Sequence, residues 1–275
     1  MADLELTPPL FAILSSLIEE RVGLCYTLQD RELLAAKLGP RVAELGLGSL
    51  LDYYYFLRYD AASESEFAAL VNALVVNETF FFRELPPLSV TVTEVLAPLV
   101  RAGQTPRVWC AACSTGEEPI TMSMLLDQHG LLGKVELVAT DISSNALATA
   151  RAGEYGRRSL RQHVSVPAIA AKWLIERERG VAVAPALRAA IRWERLNLMD
   201  EAAIQALGAF DLILCRNVLI YFRDATAARV VRQLGDQLRP RGALLVGVSE
   251  SLMRFGTSLS CEEIGGVFLY RKAGT

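Results

Sequence analysis

A loop of small and acidic residues is the first segment whose composition suggests chemistry. It reads Ala111-Ala112-Cys113-Ser114-Thr115-Gly116-Glu117-Glu118-Pro119. Small residues such as Ala111 and Gly116 let a backbone approach a ligand closely, but the G-x-G-x-x-G spacing of a dinucleotide site is missing. Two readings of the acids stay open. They complement the dipole of a helix that begins there, or one of them receives the ammonium group of an amino-acid-like ligand such as S-adenosylmethionine.

Polar residues also follow three later apolar runs. Asp141 comes after one of them, where a carboxylate can accept hydrogen bonds from both hydroxyls of a ribose. Capping the next helix is the other explanation of that acid. Asn197 can pair with an adenine edge while Leu198 packs on the ring, and Arg216 with Asn217 forms a fourth polar cluster. Together these positions suit an adenosine-containing ligand.

The elements that must position these residues alternate between strands and helices. The predicted strands are Arg107–Ala112, Val135–Thr140, Ile191–Leu196, Asp211–Cys215, Ala243–Val248 and Val267–Arg271. The predicted helices between them are Glu118–Gln128, Ser144–Ala152 and Ala225–Leu238. This alternation predicts a doubly wound, mostly parallel, Rossmann-like α/β sheet. In such sheets the ligand lies beyond the carboxyl ends of the strands, which is where the polar residues fall.

The whole chain divides into three parts, of which the α/β domain is the last. Residues 1–75 show helical spacing of leucines and predict a small all-helical domain. Residues 76–104 predict a linker and a connecting helix near 89–102. The α/β domain then covers 105–275, with a small strand-containing insertion at about 156–190.

Composition limits the partners and the location. The net charge is −3, which argues against a nucleic-acid partner, and 52% of the residues are hydrophobic. No apolar run reaches membrane-spanning length, and the amino terminus lacks the order of a signal peptide. We therefore expect a cytoplasmic protein without direct membrane insertion, and a monomer because no oligomerisation signal stands out.

The charge is distributed unevenly. Residues 1–75 contain eleven acids and five bases, a net charge of −6, whereas residues 151–195 contain ten bases and four acids, a net charge of +6. The basic segment either steers an acidic partner or is simply a solvated surface.

Cys110 and Cys113 form a C-x-x-C pair that could suggest redox chemistry or a metal. Zinc would need further ligands, and His129 and His163 are the only histidines. We expect both cysteines to be packing residues and expect no metal site.

The segment Asn77-Glu78-Thr79-Phe80-Phe81-Phe82-Arg83 places three aromatics between polar groups. The aromatics either plug a domain interface, or Asn77, Thr79 and Arg83 in addition reach a ligand across the cleft. Here a resemblance becomes specific. The segments NETFFFR, ACSTGEEP, ATDIS, ARAGEY, NLMD and CRNVLIYF occur in the order typical of the chemotaxis receptor methyltransferase family, CheR, and the similarity covers nearly the whole chain.

The resemblance implies a class I methyltransferase. Its reaction would be methyl transfer from S-adenosylmethionine to glutamate side chains of chemoreceptors, acting on their cytoplasmic domain, for chemotaxis adaptation. The products would be γ-methyl esters and S-adenosylhomocysteine. The implied cofactor residues are Asn77, Thr79, Arg83, Glu117 (with Glu118 less favoured), Asp141, Asn197, Leu198, Arg216 and Asn217. Arg83 is the expected catalytic residue that orients the carboxylate, and Tyr221 is expected to position it or line the methyl pocket.

Two features depart from the family pattern. The turn Arg177-Glu178-Arg179-Gly180-Val181 is shorter and poorer in glycine than in members that bind a receptor pentapeptide, so we expect pentapeptide-independent methylation. The acidic residues 1–75 contrast with the basic docking domain of relatives, which leaves the basic insertion as an alternative contact.

Three other functions are weighed against this interpretation. A class I methyltransferase for a small molecule or another protein would share the cofactor residues. A non-catalytic module that senses S-adenosylmethionine or its product would be expected to lack Arg83 or Tyr221. A nicotinamide oxidoreductase is disfavoured because the glycine fingerprint is absent.

Overall fold

The computed structural model describes residues 5–161 and 166–274. The chain divides into two compact units. The helical unit contains the described residues up to Val76 together with Tyr221–Arg223, and the sheet unit contains Asn77–Ile220 and the chain from Asp224 onward. Within the described ranges, no helix has the length and apolar character needed to cross a membrane.

The helical unit is built on four α-helices in its described part. They are α1 (Pro8–Val22), α2 (Arg31–Glu44), α3 (Leu50–Tyr59) and α4 (Ser63–Leu74). Leu14, Leu34 and Leu70 pack inward and are fully buried. A buried carboxylate joins three helices, because Glu66 binds the Arg41 guanidinium and accepts a hydrogen bond from the Tyr53 hydroxyl at 2.6 Å. A lone antiparallel bridge between Leu24 and Phe222 adds the segment 221–223 to this unit.

The helices of the sheet unit begin with α5 (Leu85–Val90), which continues through a π-helical turn (Thr91–Leu96) into α6 (Ala97–Arg101). Pro98 lies two residues after the end of the π turn, and it has no N–H to donate to a regular turn. The later helices are α7 (Glu117–Gln128), α8 (Ser144–Ala152), α9 (Ala170–Trp173), α10 (Pro185–Ala189), α11 (Glu201–Ala206) and α12 (Asp224–Asp236).

The strands form two sheets. In chain order they are β1 (Arg107–Ala111), β2 (Glu136–Asp141), β3 (Glu154–Gly156), β4 (Leu174–Arg177), β5 (Gly180–Val183), β6 (Ile191–Arg195), β7 (Phe210–Cys215), β8 (Leu238–Val246), β9 (Ser260–Ile264) and β10 (Val267–Arg271). The large sheet has the order β6-β2-β1-β7-β8-β10-β9. The first five strands in this order run parallel, and β10 is antiparallel to both of its neighbours, β8 and β9. This confirms the predicted doubly wound, mostly parallel class.

The small sheet is antiparallel, with the order β3-β5-β4. Its last two strands are joined by the two-residue turn Glu178-Arg179. It occupies residues 154–183, the region where an insertion at about 156–190 is predicted from the sequence. Its inner face contributes Tyr155, Val181 and Val183 to the core of the sheet unit.

Candidate cofactor and catalytic site

The loop after β1 has an unusual backbone. Ala112 and Ser114 have φ angles of 56° and 50°, the left-handed region that residues with a Cβ rarely adopt, and Gly116 has a φ of 93°. A Cβ at Gly116 would lie 2.7 Å from the Cβ of Ala150 and 2.9 Å from the Trp193 ring. The glycine is therefore required by close packing against α8 and β6. The same packing holds the start of α7 in place.

Asp141 ends β2 and joins this loop to it. Its carboxylate accepts hydrogen bonds from the backbone N–H groups of Ser114 and Ser143, both at 2.8 Å. The Ser143 hydroxyl, and not Asp141, caps α8 by accepting from the Ala146 N–H at 3.1 Å. A carboxylate can accept about four hydrogen bonds, so Asp141 retains an acceptor for a ribose hydroxyl. Burial raises the pKa of Asp141 in spite of these hydrogen bonds.

Glu117 is a buried carboxylate, 1% exposed, and has no ion-pair partner among the described residues. It accepts hydrogen bonds from the hydroxyls of Thr115 at 2.6 Å and Ser159 at 2.8 Å. Burial raises its pKa. A buried acid with hydroxyl partners but no cation suits an incoming ammonium group, which would restore the charge balance.

Glu118 has a different environment. The Arg216 side chain is only 2% exposed and binds Glu118 at 2.6 Å and Glu84 at 2.8 Å. Arg216 also donates to the backbone carbonyl of Arg83 at 3.0 Å. Since Glu118 is already paired, Glu117 is the better candidate for a ligand. The guanidinium of Arg216, expected from the resemblance to lie at the cofactor, is held by protein acceptors.

The two acids bound to Arg216 differ in pKa. Burial raises the pKa of Glu118, and the attraction of Arg216 only partly offsets it. Burial acts on Glu84 too, but Arg216 and the Val248 N–H lower its pKa overall. Two carboxylates thus share one guanidinium, so this buried cluster is electrostatically favourable to a nearby cation.

The loop after β7 is organised by Glu250, which sequence reasoning missed. Its carboxylate accepts from the backbone N–H groups of Asn217 at 2.7 Å, Leu219 at 2.9 Å and Gly247 at 2.9 Å. Asn217 has a φ of 57°. A Cβ at Gly247 would lie 2.6 Å from the side-chain nitrogen Nδ2 of Asn217. The pattern offers no signal for Glu250, because it lies 33 residues from Asn217 in a separate loop.

The aromatics of the NETFFFR segment lie in the core of the sheet unit. Phe81 and Phe82 are each 1% exposed, and the Phe81 ring meets Tyr155 edge-on at 4.9 Å. The Phe81 N–H donates to the carbonyl of Ser159 at 2.9 Å, and the Phe82 N–H to the Thr121 hydroxyl at 3.1 Å. Phe82 adopts a φ of 62°. These contacts bury Phe81 and Phe82 in the core of the sheet unit.

The polar residues of the same segment lie beside the β1 loop. The Asn77 amide oxygen accepts from the Ser114 hydroxyl at 3.4 Å, and Thr79 is half-buried. The Arg83 guanidinium, half-buried, donates to the carbonyl of Glu78 at 2.9 Å and lies 5.6 Å from the Phe80 ring centroid. Its side chain forms no ion pair among the described residues.

Asn197 and Leu198 follow β6. The Leu196 N–H donates to the Asp141 carbonyl at 3.0 Å, which places this segment next to the end of β2. The Asn197 amide oxygen accepts from the Met199 N–H at 3.0 Å, and Leu198 is buried. Tyr221, by contrast, ends a short 3₁₀ turn and belongs to the helical unit, where its carbonyl accepts from the Cys25 N–H at 2.9 Å.

The C-x-x-C pair is structural. Cys110 and Cys113 are free and buried, and burial raises the pKa of both thiols well above the usual value. Redox chemistry needs an accessible thiolate, which burial disfavours. His163, weighed as a ligand, lies outside the described residues. The described residues hold no group of three or more side chains that could bind a metal.

Known families match both units. A family model described as the CheR methyltransferase SAM-binding domain matches residues 77–265, and one described as the CheR methyltransferase all-alpha domain matches residues 9–75. This chain belongs to the CheR methyltransferase family. It is therefore an S-adenosylmethionine-dependent methyltransferase, and the acid-lined loops after β1 and β2 suit that cofactor, which carries one net positive charge.

Three CheR relatives illustrate the similarity. Chemotaxis protein methyltransferase 2 of Vibrio cholerae is 33% identical, covering 86% of this chain and 84% of its own length. Chemotaxis protein methyltransferase 1 of Pseudomonas aeruginosa is 32% identical, covering 88% and 90%. A chemotaxis protein methyltransferase of Vibrio parahaemolyticus is 35% identical, covering 86% and 87%.

Proposed function

We propose that this CheR family member methylates glutamate side chains in the cytoplasmic domain of methyl-accepting chemoreceptors, yielding γ-methyl esters. The names of its relatives support a role in chemotaxis. The observation that carries the proposal is that the candidate site residues include a buried carboxylate and a guanidinium that are both outside ion pairs in the described part of the chain. Among the described residues, the buried acid Glu117 has no ion-pair partner, and the Arg83 guanidinium donates to the Glu78 carbonyl without forming an ion pair.

The sheet unit supplies the cofactor contacts in this proposal. Glu117 receives the ammonium group and Asp141 the ribose hydroxyls. Asn197 and Leu198 contact the adenine, and the backbone of Ala111 and Gly116 permits close approach. Asn77, Thr79, Arg83, Arg216 and Asn217 complete the cofactor set. For Arg216 we propose a contact through the backbone, because its guanidinium is bound to Glu84 and Glu118.

The chemistry requires little from acids and bases. A glutamate with a pKa near ~4.3 is ionised at neutral pH and is already a nucleophile. S-adenosylmethionine supplies an electrophilic methyl group, and the opposite charges of the two reactants diminish as the methyl moves. Exclusion of water and alignment of the reactants therefore favour the transfer. Arg83 can hold the carboxylate in a bidentate contact, and we propose that Tyr221 positions it or lines the methyl pocket.

Pentapeptide independence belongs to the same proposal. Only Glu178 and Arg179 separate β4 from β5, which supports a short turn without the glycine-rich loop of pentapeptide-binding relatives. Calorimetry with a receptor C-terminal pentapeptide should give no tight binding, and a micromolar dissociation constant would contradict this point.

We also propose that the protein is cytoplasmic and monomeric. We propose that its helical domain ends at residue 75 and that its α/β domain begins after residue 104.

The decisive experiment transfers labelled methyl groups to receptor-containing membranes and releases them with mild base. Release identifies a carboxyl ester, whereas base-stable label identifies another product. Label only in small molecules would favour the small-molecule alternative, and tight cofactor binding without any transfer would favour a sensing module. Arg83→Ala should lower kcat/KM by roughly 100-fold and weaken cofactor binding by a smaller factor, because Arg83 also belongs to the proposed cofactor set. Arg101→Ala, an exposed site before β1, is the matched control.

A further inference from the structure

One end of the small sheet collects arginines from three chain segments. The register pairs Gly156 of β3 with Gly180 of β5, and Gly180 with Arg177 of β4, so the three residues form one row across the sheet. Arg157 and Arg158 follow this row on one side, and Arg179 precedes Gly180 in the turn. We call Arg157, Arg158, Arg177 and Arg179 the basic rim.

The row itself brings the segments close together. A Cβ at Gly180 would lie 1.9 Å from the carbonyl oxygen of Tyr155 and 2.9 Å from the Cα of Gly156. No side chain can therefore stand between β3 and β5 at this end of the sheet. The backbone segments that carry the four arginines therefore meet at this row.

The charges of the basic rim are not neutralised within the described residues. All four arginines are exposed and none forms an ion pair in that part of the chain. Arg177 donates only to the backbone carbonyl of Glu176, at 3.3 Å. Glu176 and Glu178 are the acids beside these arginines in the strand and turn, so four positive charges outnumber two negative ones. Exposed positive charge of this kind attracts an anionic partner.

The segment that follows Arg157 and Arg158 contacts residues of the candidate site. The 3₁₀ turn after Gly156 ends in Ser159, whose hydroxyl binds Glu117 and whose carbonyl accepts from the Phe81 N–H. Two residues further, Arg161 pairs with Glu78 at 2.5 Å and lies 4.3 Å from the Phe80 ring, the same ring that Arg83 approaches. A partner on the rim would therefore lie beside the proposed carboxylate site.

We infer that the basic rim docks an acidic segment of the substrate protein, next to the glutamate that is methylated. This inference rests on the proposed function. The nucleophile is itself a carboxylate, so a segment that presents several glutamates is anionic and fits an arginine surface. Residues 1–75 carry a net charge of −6 and offer no comparable attraction.

The test compares three double variants that each remove two positive charges. R157Q/R158Q and R177Q/R179Q alter the basic rim, and R101Q/R232Q alters exposed arginines elsewhere on the sheet unit. At low salt, each rim variant should raise KM for receptor-containing membranes roughly three- to tenfold. The kcat at saturation and the affinity for S-adenosylmethionine should stay unchanged, and the difference should shrink at high salt. An unchanged KM, or an equal rise in the control, overturns the inference.

A binding measurement separates the inference from the proposed function. A fluorescent helical peptide of repeated Glu-Ala-Ala units should bind the unmodified protein and the R101Q/R232Q control, but bind both rim variants more weakly. The same peptide with glutamine for glutamate should not bind. If membranes accept no methyl groups but this pattern holds, the proposed function fails and the rim stands. Rim-dependent binding to phosphatidylglycerol vesicles without peptide binding would overturn the inference in favour of a lipid surface.

Discussion

Gly116 illustrates how packing and backbone conformation can both require one glycine. Its φ of 93° disfavours any side chain, and a Cβ would approach Ala150 and Trp193 within 2.7 and 2.9 Å. Gly116→Ala should lower the free energy of unfolding by about 2–4 kcal/mol, from backbone strain plus overpacking. Gly103→Ala is the control, because Gly103 has a φ of 78° in open space and should lose only about 1 kcal/mol. Equal losses in urea denaturation would show that the contacts do not matter.

Glu117 makes the stability of the cofactor-free protein depend on pH. Burial raises its pKa in the folded state above the ordinary value of 4.5, so the folded protein binds this proton more tightly than the unfolded chain. Stability from this group is therefore present at low pH and lost as the pH rises from about 4.5 through the raised pKa.

Relative to the unmodified protein, Glu117→Gln should gain unfolding free energy as the pH rises through that window, since glutamine cannot ionise. Denaturation curves at several pH values without cofactor measure this difference. Glu263→Gln, at an exposed position on β9, is the control and should show no such trend. A difference that stays flat across the window for Glu117→Gln would contradict the assignment.

At the residue scale, the sequence predicts acids that follow strands and misses acids that shape loops. Asp141 directly follows a strand pattern and Glu117 lies in the loop after another one, and the parallel pairing of β1 with β2 places both at one edge of the sheet. Glu84 and Glu250 bind Arg216 and Asn217 across 132 and 33 residues, and local patterns carry no such information. A buried arginine after an apolar strand does imply acid partners, but not which ones.

Among the elements, the contact between the end of β7 and the NETFFFR segment depends on Arg216. Removing one member of a buried ion cluster leaves the others unpaired, so Arg216→Met should cost about 3–5 kcal/mol of unfolding free energy. Arg239→Met is the matched control. Arg239 pairs with Asp211 at 2.7 Å but is 42% exposed, so its loss should be about 1 kcal/mol or less. Comparable midpoints for the two variants in guanidinium denaturation would contradict this role.

The buried parallel strands were predictable and the marginal elements were not. β7 is buried throughout, and an unbroken apolar run reveals such a strand. β8 begins at Leu238, five residues before the predicted start. Its first part is irregular, with a register shift opposite Phe210 and Leu212 and a left-handed Arg241, so it lacks the alternating pattern of a regular strand. β9 is an exposed edge strand of mostly polar residues and leaves no hydrophobic pattern.

On the scale of the whole molecule, buried acids and exposed bases should respond differently to salt. Screening acts strongly on exposed charges and weakly on buried ones, with a Debye length of about 10 Å at 0.1 M ionic strength. For the unmodified protein, KM for receptor-containing membranes should rise several-fold between about 50 and 300 mM salt. The dissociation constant of S-adenosylmethionine should change less than twofold. Equal salt dependence of both constants would contradict the separation of the two charge sets.

The left-handed residues outside glycine have a consequence for engineering. In the described chain they are Phe82, Glu84, Ala112, Ser114, Asn217 and Arg241, and all but Arg241 lie in the loops of the candidate site. Apart from Asn217, whose residue type adopts this region readily, each stores roughly 1–2 kcal/mol of conformational strain that a glycine would release. A screen for heat resistance alone would therefore tend to select glycine at Ala112 or Ser114. Such variants should gain thermal stability and lose turnover.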